Sequence, residues 1–169
     1  MNCVECGGKT KSRRELKYRY TESGLNNVYL SGINVHSCEK CGTEYPEFPA
    51  VRLLHDVLVN AILSQREALG GGEVRFLRKE MGIKAKDFAE MLGVTKVAVS
   101  KWENSPKPVA KITDRLIRCV LHLHRLKKHT PDEIKVSLEA FQSRLSDIDS
   151  AKVRSKTEID VNRELAAAA

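Results

Sequence analysis

The chain has 169 residues, with 29 Lys+Arg against 22 Asp+Glu and a formal charge of +7. That length suits one ordinary domain or two small ones. No apolar run approaches 18 residues and the N-terminus lacks a signal-peptide pattern, so the composition argues against a membrane protein or a secreted one, and a cytoplasmic protein is expected.

The charge is uneven. Residues 71–128 hold 14 basic and six acidic side chains, while the segments on either side are near balance. A polyanion partner is expected for that middle segment.

Residues 1–48 read as a small β-rich module. It opens on Cys3-Val-Glu-Cys6 and closes on Cys38-Glu-Lys-Cys41. Two CxxC pairs bring four thiolates around one ion, the donor set of tetrahedral zinc, and leave no position open for substrate. One structural zinc is therefore expected on Cys3, Cys6, Cys38 and Cys41. Between the pairs, Leu16, Tyr18 and Tyr20 alternate, TESGLNN supplies turn residues, and Val28, Leu30, Ile33 and Val35 continue the strands around a bulge at Gly32. So small a module has little core, and a metal staple compensates. His36 reads as a surface strand residue and not as a fifth ligand.

Residues 49–72 read as a connecting helix and a glycine hinge. The helix is expected over 50–69, with Val51, Leu54, Leu58, Ile62 and Leu69 on one face, stopped by Gly70, Gly71 and Gly72.

Residues 73–128 read as five helices: 73–81, 84–92, 95–104, a short one from Val109, and a longer one to Lys128. Thr95 is a natural N-cap. In the last helix Ile112, Leu116, Val120 and Leu123 are the expected buried stripe, with Cys119 a small apolar side chain near it. His122 and His124 are two residues apart and cannot share a helix face as a metal pair.

Residues 129–169 read as a helical extension and a polar tail. Thr130, Pro131 and Glu133 form a capping box, and Ile134, Leu138, Phe141, Leu145 and Ile148 a seam of a/d type. The seam leaves open whether it packs on the preceding helices or on a second subunit. From Ser150 the chain is expected to be loose or to add one edge strand.

Within 73–128, the stretch KDFAEMLGVTKVAVSKWEN reads as a helix-turn-helix. Phe88, Ala89 and Leu92 would pack under the turn, and Val94, Val99 and Trp102 would anchor the second helix. That leaves Thr95, Lys96, Val97, Ser100 and Lys101 facing the major groove of DNA. Lysine can donate to guanine or phosphate, and Val97 can touch a thymine methyl. Lys84, Lys86, Asn104, Lys107 and Lys111 are placed for phosphates.

The segment from Ile83 to Asn104 resembles the Xre/Cro type of helix-turn-helix, carried by Gly93-Val-Thr and Ser100-Lys-Trp-Glu-Asn104. Where that pattern has a glycine after the asparagine, this chain has Ser105. With the two CxxC pairs, residues 1–128 resemble the MqsA-type antitoxins, which join a YgiT-type zinc finger to an Xre/Cro-type helical bundle. The expected fold is therefore mainly α, with a zinc-ribbon-like N-terminal module. The resemblance implies the antitoxin of a type II toxin-antitoxin pair. Such a protein represses its own operon as a dimer on palindromic double-stranded DNA and binds a cognate toxin, usually an mRNA-cleaving enzyme. It implies that the zinc module meets the toxin. Asn and Arg read bases in that pattern; Val97 and Lys101 stand there in this chain, so a different operator is expected.

The basic run Lys9, Lys11, Arg13, Arg14, Lys17 and Arg19 suits a purely electrostatic mask of an RNA-cleaving toxin poorly, leaving DNA, an acidic toxin surface or solvent as what it faces. The alternative function is a zinc-stapled Xre-type transcriptional regulator with no toxin. No HExxH or other nucleophile-base constellation is present, so no enzyme is expected.

Overall fold

The computed structural model describes residues 2–126, 131–146, 148–153 and 156–167. In chain order the elements are β1 (Thr10–Glu15), β2 (Tyr18–Arg19), β3 (Val28–Ser31), β4 (Ile33–Cys38), β5 (Glu44–Glu47), α1 (Val51–Ser64) and β6 (Glu67–Ala68). There follow α2 (Gly71–Glu80), α3 (Ala85–Met91), α4 (Lys96–Glu103), α5 (Lys111–Leu126), α6 (Pro131–Ser146), β7 (Asp149–Val153), β8 (Thr157–Asp160) and α7 (Val161–Ala167). The fold is mainly α with a small β-rich N-terminal module.

Two compact units are present. One comprises Met1–Glu22, Asn26–Val57 and Lys156–Ala169, the other Ser23–Leu25 and Leu58–Ser155. This division differs from the segments read along the sequence. It falls inside α1, and it assigns the last residues of the chain to the N-terminal unit. The tail belongs to that unit because β8 pairs with β3, a long-range contact to which local patterns are blind.

In the first unit β1 and β5 flank β4, both antiparallel to it. Thr10 lies opposite Cys38, and Glu15 opposite Ile33. Pro46 sits on the outer strand β5, where a missing amide proton costs nothing. The second sheet places β3 between β2 and β8, and β8 runs parallel to β3 from Thr157 opposite Val28. The tail, expected to be loose or to add one edge strand, thus contributes β8 to this sheet, and it also forms β7 and α7. Val28, Leu30, Thr157 and Ile159 are buried with period two. Leu16 is not part of that alternation and is 78% exposed.

In the second unit the expected glycine hinge is not a hinge. Helix α1 ends at Ser64, before the glycines. Gly70 is the N-cap of α2, and Gly71 begins that helix. The Glu73 carboxylate accepts hydrogen bonds from the Gly70 amide at 2.8 Å and from Gln65 Nε2 at 3.1 Å. A β-carbon at Gly71 would lie 2.4 Å from the Trp102 carbonyl oxygen. Gly71 is therefore required by the close approach of α2 to the end of α4.

Four helices, not five, occupy residues 73–126. Val109 lies in a loop outside any helix, and its amide donates to the Leu69 carbonyl at 3.0 Å. Helix α5 also buries a different face from the one expected. Ile112 is 83% exposed and Leu123 59%, whereas Asp114, Ile117, Arg118 and Leu121 are buried. The reason is a buried ion pair. Arg118 Nε donates to Asp114 Oδ1 at 2.6 Å. Its Nη1 donates to the carbonyls of Ile62, Leu63 and Gln65 at 2.8, 3.1 and 3.1 Å, and its Nη2 to that of Glu67 at 2.9 Å. Asp114 Oδ2 accepts from the Leu69 amide at 2.6 Å. Arg118 thus satisfies carbonyls that a helix end leaves without partners.

Thr130 of the expected capping box lies outside the described residues, as do the side chains of Glu133 and of the seam position Ile134. Of the other seam positions Phe141 and Ile148 are buried, and Leu138 is exposed.

Replacing Arg118 by Leu would strand the Asp114 charge and free several carbonyls. The expected loss is about 3–5 kcal/mol of stability, read as a lowered denaturant midpoint. An unchanged midpoint would contradict this role.

Candidate metal centre and nucleic-acid interface

The metal centre is built from two matching turns. The Gly7 amide donates to the Cys3 carbonyl at 2.9 Å, and the Gly42 amide to the Cys38 carbonyl at 3.0 Å. The Cys3 amide donates to the Gly8 carbonyl, and the Cys38 amide to that of Thr43. Gly7 and Gly42 have φ of 68° and 74°, the left-handed region that closes each turn without a β-carbon clash. The pairing of β1 with β4 brings the two turns together.

The four Sγ atoms all lie within 4.8 Å of one another. Cys3 and Cys41 are 3.6 Å apart, and Cys6 and Cys38 3.4 Å. Those separations exceed a disulfide bond of about 2.05 Å. They approach the edge of about 3.8 Å in a tetrahedron with metal–sulfur bonds near 2.3 Å. The residues fit a metal ion. Four thiolates complete a tetrahedron, so the centre is suited to holding structure and not to binding substrate. His36 is outside the cluster. It is largely buried on β4, stacks on Tyr45, and lies 3.2 Å from Glu47 Oε2. The expected surface position is thus not observed.

The thiols differ electrostatically. The Thr43 hydroxyl and amide pull the Cys41 thiol down to about 6. At Cys6 the Gly8 amide acts downward, but hydrogen bonding with Cys41 and Cys38 and burial outweigh it and push the thiol up to about 12.

The basic run of the module is partly neutralised within it. Lys11 pairs with Glu39 at 2.5 Å, and Arg13 with Glu44 at 2.6 Å. Lys17 lies over the Tyr29 ring.

In the other unit α4 presents the candidate reading face. Helix α3 closes on the Gly93 amide to Glu90 carbonyl and the Val94 amide to Ala89 carbonyl bonds, a Schellman end that turns the chain into α4. Thr95 caps α4, its hydroxyl accepting from the Ala98 amide at 3.2 Å. Val99 is buried, whereas Val94 and Trp102 are half-buried. Thr95, Lys96, Val97, Ser100 and Lys101 are all exposed. Lys96, Val97, Ser100, Lys101 and Asn104 line one shallow concavity of about 600 Å³. Lys84, Lys86, Lys107 and Lys111 are exposed on neighbouring segments of this unit. Asn104 is exposed but committed: its amide donates to the Ser100 carbonyl at 2.7 Å, and its Oδ1 accepts from Arg75 at 2.5 Å.

Sequence reasoning missed what holds α4. Glu103 is buried and accepts from Arg78 Nε at 2.6 Å and Nη2 at 3.1 Å, and from Arg75 Nε at 3.4 Å. Arg78 also donates to the Ile83 carbonyl. The available signal was a charged residue inside the Trp102-Glu103-Asn104 motif, matched by Arg75 and Arg78 three apart on α2.

Metal uptake displaces thiol protons, so affinity is expected to fall as pH falls. Below about 6 the Cys41 proton must be displaced too, and the number of protons released per ion should rise. Calorimetric titration in buffers of different ionisation enthalpy measures that number. A count that does not rise below about 6 would contradict the lowered Cys41 thiol, and a count of zero would contradict thiolate ligation.

A helix-turn-helix family model matches residues 74–112, from α2 into the start of α5. No curated protein and no solved structure matches the chain. The chain carries a DNA-binding helix-turn-helix domain over 74–112, and at its N-terminus four cysteines positioned to bind a metal ion.

Proposed function

We propose that the chain is the antitoxin of a type II toxin-antitoxin pair, stapled by one structural zinc on Cys3, Cys6, Cys38 and Cys41. It represses its own operon as a homodimer on palindromic DNA and neutralises a cognate mRNA-cleaving toxin by direct binding. The observation that carries the DNA-binding half is the exposed face of α4, where Lys96, Val97, Ser100 and Lys101 share one concavity on a helix fixed from behind by Glu103. The antitoxin half rests on the union of a four-cysteine module with such a domain in one chain.

In this reading α4 enters the major groove. Lys96 and Lys101 donate to guanine edges or phosphates, Val97 meets a thymine methyl, and Thr95 and Ser100 offer hydroxyls. Lys84, Lys86, Lys107 and Lys111 contact phosphates, which makes binding steeply salt-dependent. Asn104 acts chiefly by locking the end of α4 to Arg75. A dimer sets its two reading helices about 34 Å apart, one turn of DNA. Zinc follows from the donor set, since an all-thiolate tetrahedron suits zinc. No catalysis is assigned to the chain.

The test is growth of cells expressing the open reading frame adjacent to this gene, with and without the chain. Arrest by the neighbour alone, relieved by co-expression, is the expected result. Absence of arrest would overturn the antitoxin assignment and leave a zinc-stapled regulator.

A further inference from the structure

Helix α5 is apolar on two opposite sides. One side carries Ile117 and Leu121 beside the Asp114–Arg118 pair and is buried. The other carries Ile112, Leu116, Cys119 and Leu123. At 3.6 residues per turn these four fall within about 60° of one another, opposite the buried side. Ile112 is 83% exposed, Leu116 39% and Leu123 59%, and Cys119 is half-buried. Scattered exposed aliphatics mean little, but a contiguous row of them marks an interaction surface. A helix with apolar residues on both sides is expected to pack on both.

The spacing of the stripe identifies the partner. The steps from Ile112 to Leu116, Cys119 and Leu123 are four, three and four residues. This a/d-type pattern reads the same in both directions. A twofold axis between Leu116 and Cys119 therefore lays the stripe, antiparallel, on a copy of itself. Ile112 of each copy then meets Leu123 of the other, and Leu116 meets Cys119. A closed symmetric pair requires such a self-complementary patch. In that register Lys111 falls opposite His124 and Arg115 opposite Val120, so no two guanidinium or ammonium groups are set against each other. Four side chains are few beside the about 20–30 residues a side of a stable interface. The contact suits molecules already held side by side, as two copies on the halves of a palindrome would be.

We propose that the exposed stripe of α5 is the face through which two copies of this chain pair, antiparallel about a twofold axis, weakly when free and firmly on DNA. This pairing face rests on the reading of the chain as a homodimer on palindromic DNA, and adds to it a surface and a register.

The experiment is sedimentation equilibrium of the full chain from micromolar to millimolar concentration, for the parent, Ile112→Glu, Leu123→Lys and an equimolar mixture of the two variants. The same proteins are titrated onto a duplex of the chain's own upstream region. The parent should show a monomer–dimer equilibrium that either substitution weakens roughly tenfold or more, because each pair would bury two charges in an apolar contact. The mixture should recover the dimer, since the introduced carboxylate then faces the introduced ammonium. On the duplex two parent copies should bind cooperatively, and two copies of either variant independently. Both replaced side chains are exposed, so the variants should fold, and Lys101→Ala is the control that should self-associate as the parent does. A parent dimer that neither substitution weakens would overturn this face and leave the homodimer reading standing. Failure of the mixture to recover would overturn the antiparallel register. A parent that is monomeric throughout and binds the duplex as a single copy would overturn both the face and the homodimer reading.

Discussion

The Asp114–Arg118 pair is the contact on which the second unit depends. Two charges out of water are costly unless every lone pair and proton is used. Here Arg118 serves Asp114 and the carbonyls of Ile62, Leu63, Gln65 and Glu67, while Asp114 also takes the Leu69 amide. The pair closes the end of α1 and sets the path of the chain into α2. It also decides the rotation of α5, because burying Asp114 and Arg118 turns Ile112, Leu116 and Leu123 outward.

A second charged contact does comparable work nearer to the reading face. Glu103 closes α4 against Arg75 and Arg78 of α2, and Gly71 lets the two helices approach to backbone contact. The exposed side chains of α4 therefore project from a helix fixed at its start by Thr95 and at its end by Glu103 and Asn104. Positioning is set by buried or capped groups, and recognition is left to exposed ones. In the first unit two equivalent turns and one strand pairing gather four thiols in positions that could bind a metal ion.

What was legible in the sequence was local. The CxxC spacing placed the thiols. The helical period placed Thr95, Lys96, Val97, Ser100 and Lys101 on an exposed face, and Leu54, Leu58 and Ile62 on a buried one. What was not legible depended on distant partners. Asp114 and Arg118 are charged, so sequence periodicity favours the apolar Ile112, Leu116, Val120 and Leu123 as the core face of α5. The glycines at 70–72 were read for flexibility, although Gly71 is needed for its missing side chain against Trp102. The return of Thr157–Asp160 to Val28–Ser31 crosses most of the chain, and no local signal marks it.

The exposed face of α4 is proposed to read DNA. The most direct test is titration of the chain against a duplex carrying its own upstream region, at several salt concentrations, for the parent and for Lys96→Ala, Lys101→Ala and Lys79→Ala. The account predicts a loss of about 1–3 kcal/mol for Lys101→Ala, and a shallower salt slope for any substitution that removes a phosphate contact. Lys79→Ala, an exposed lysine on α2 outside the reading face, should leave affinity and slope unchanged. Equal affinity for all four proteins would contradict the account.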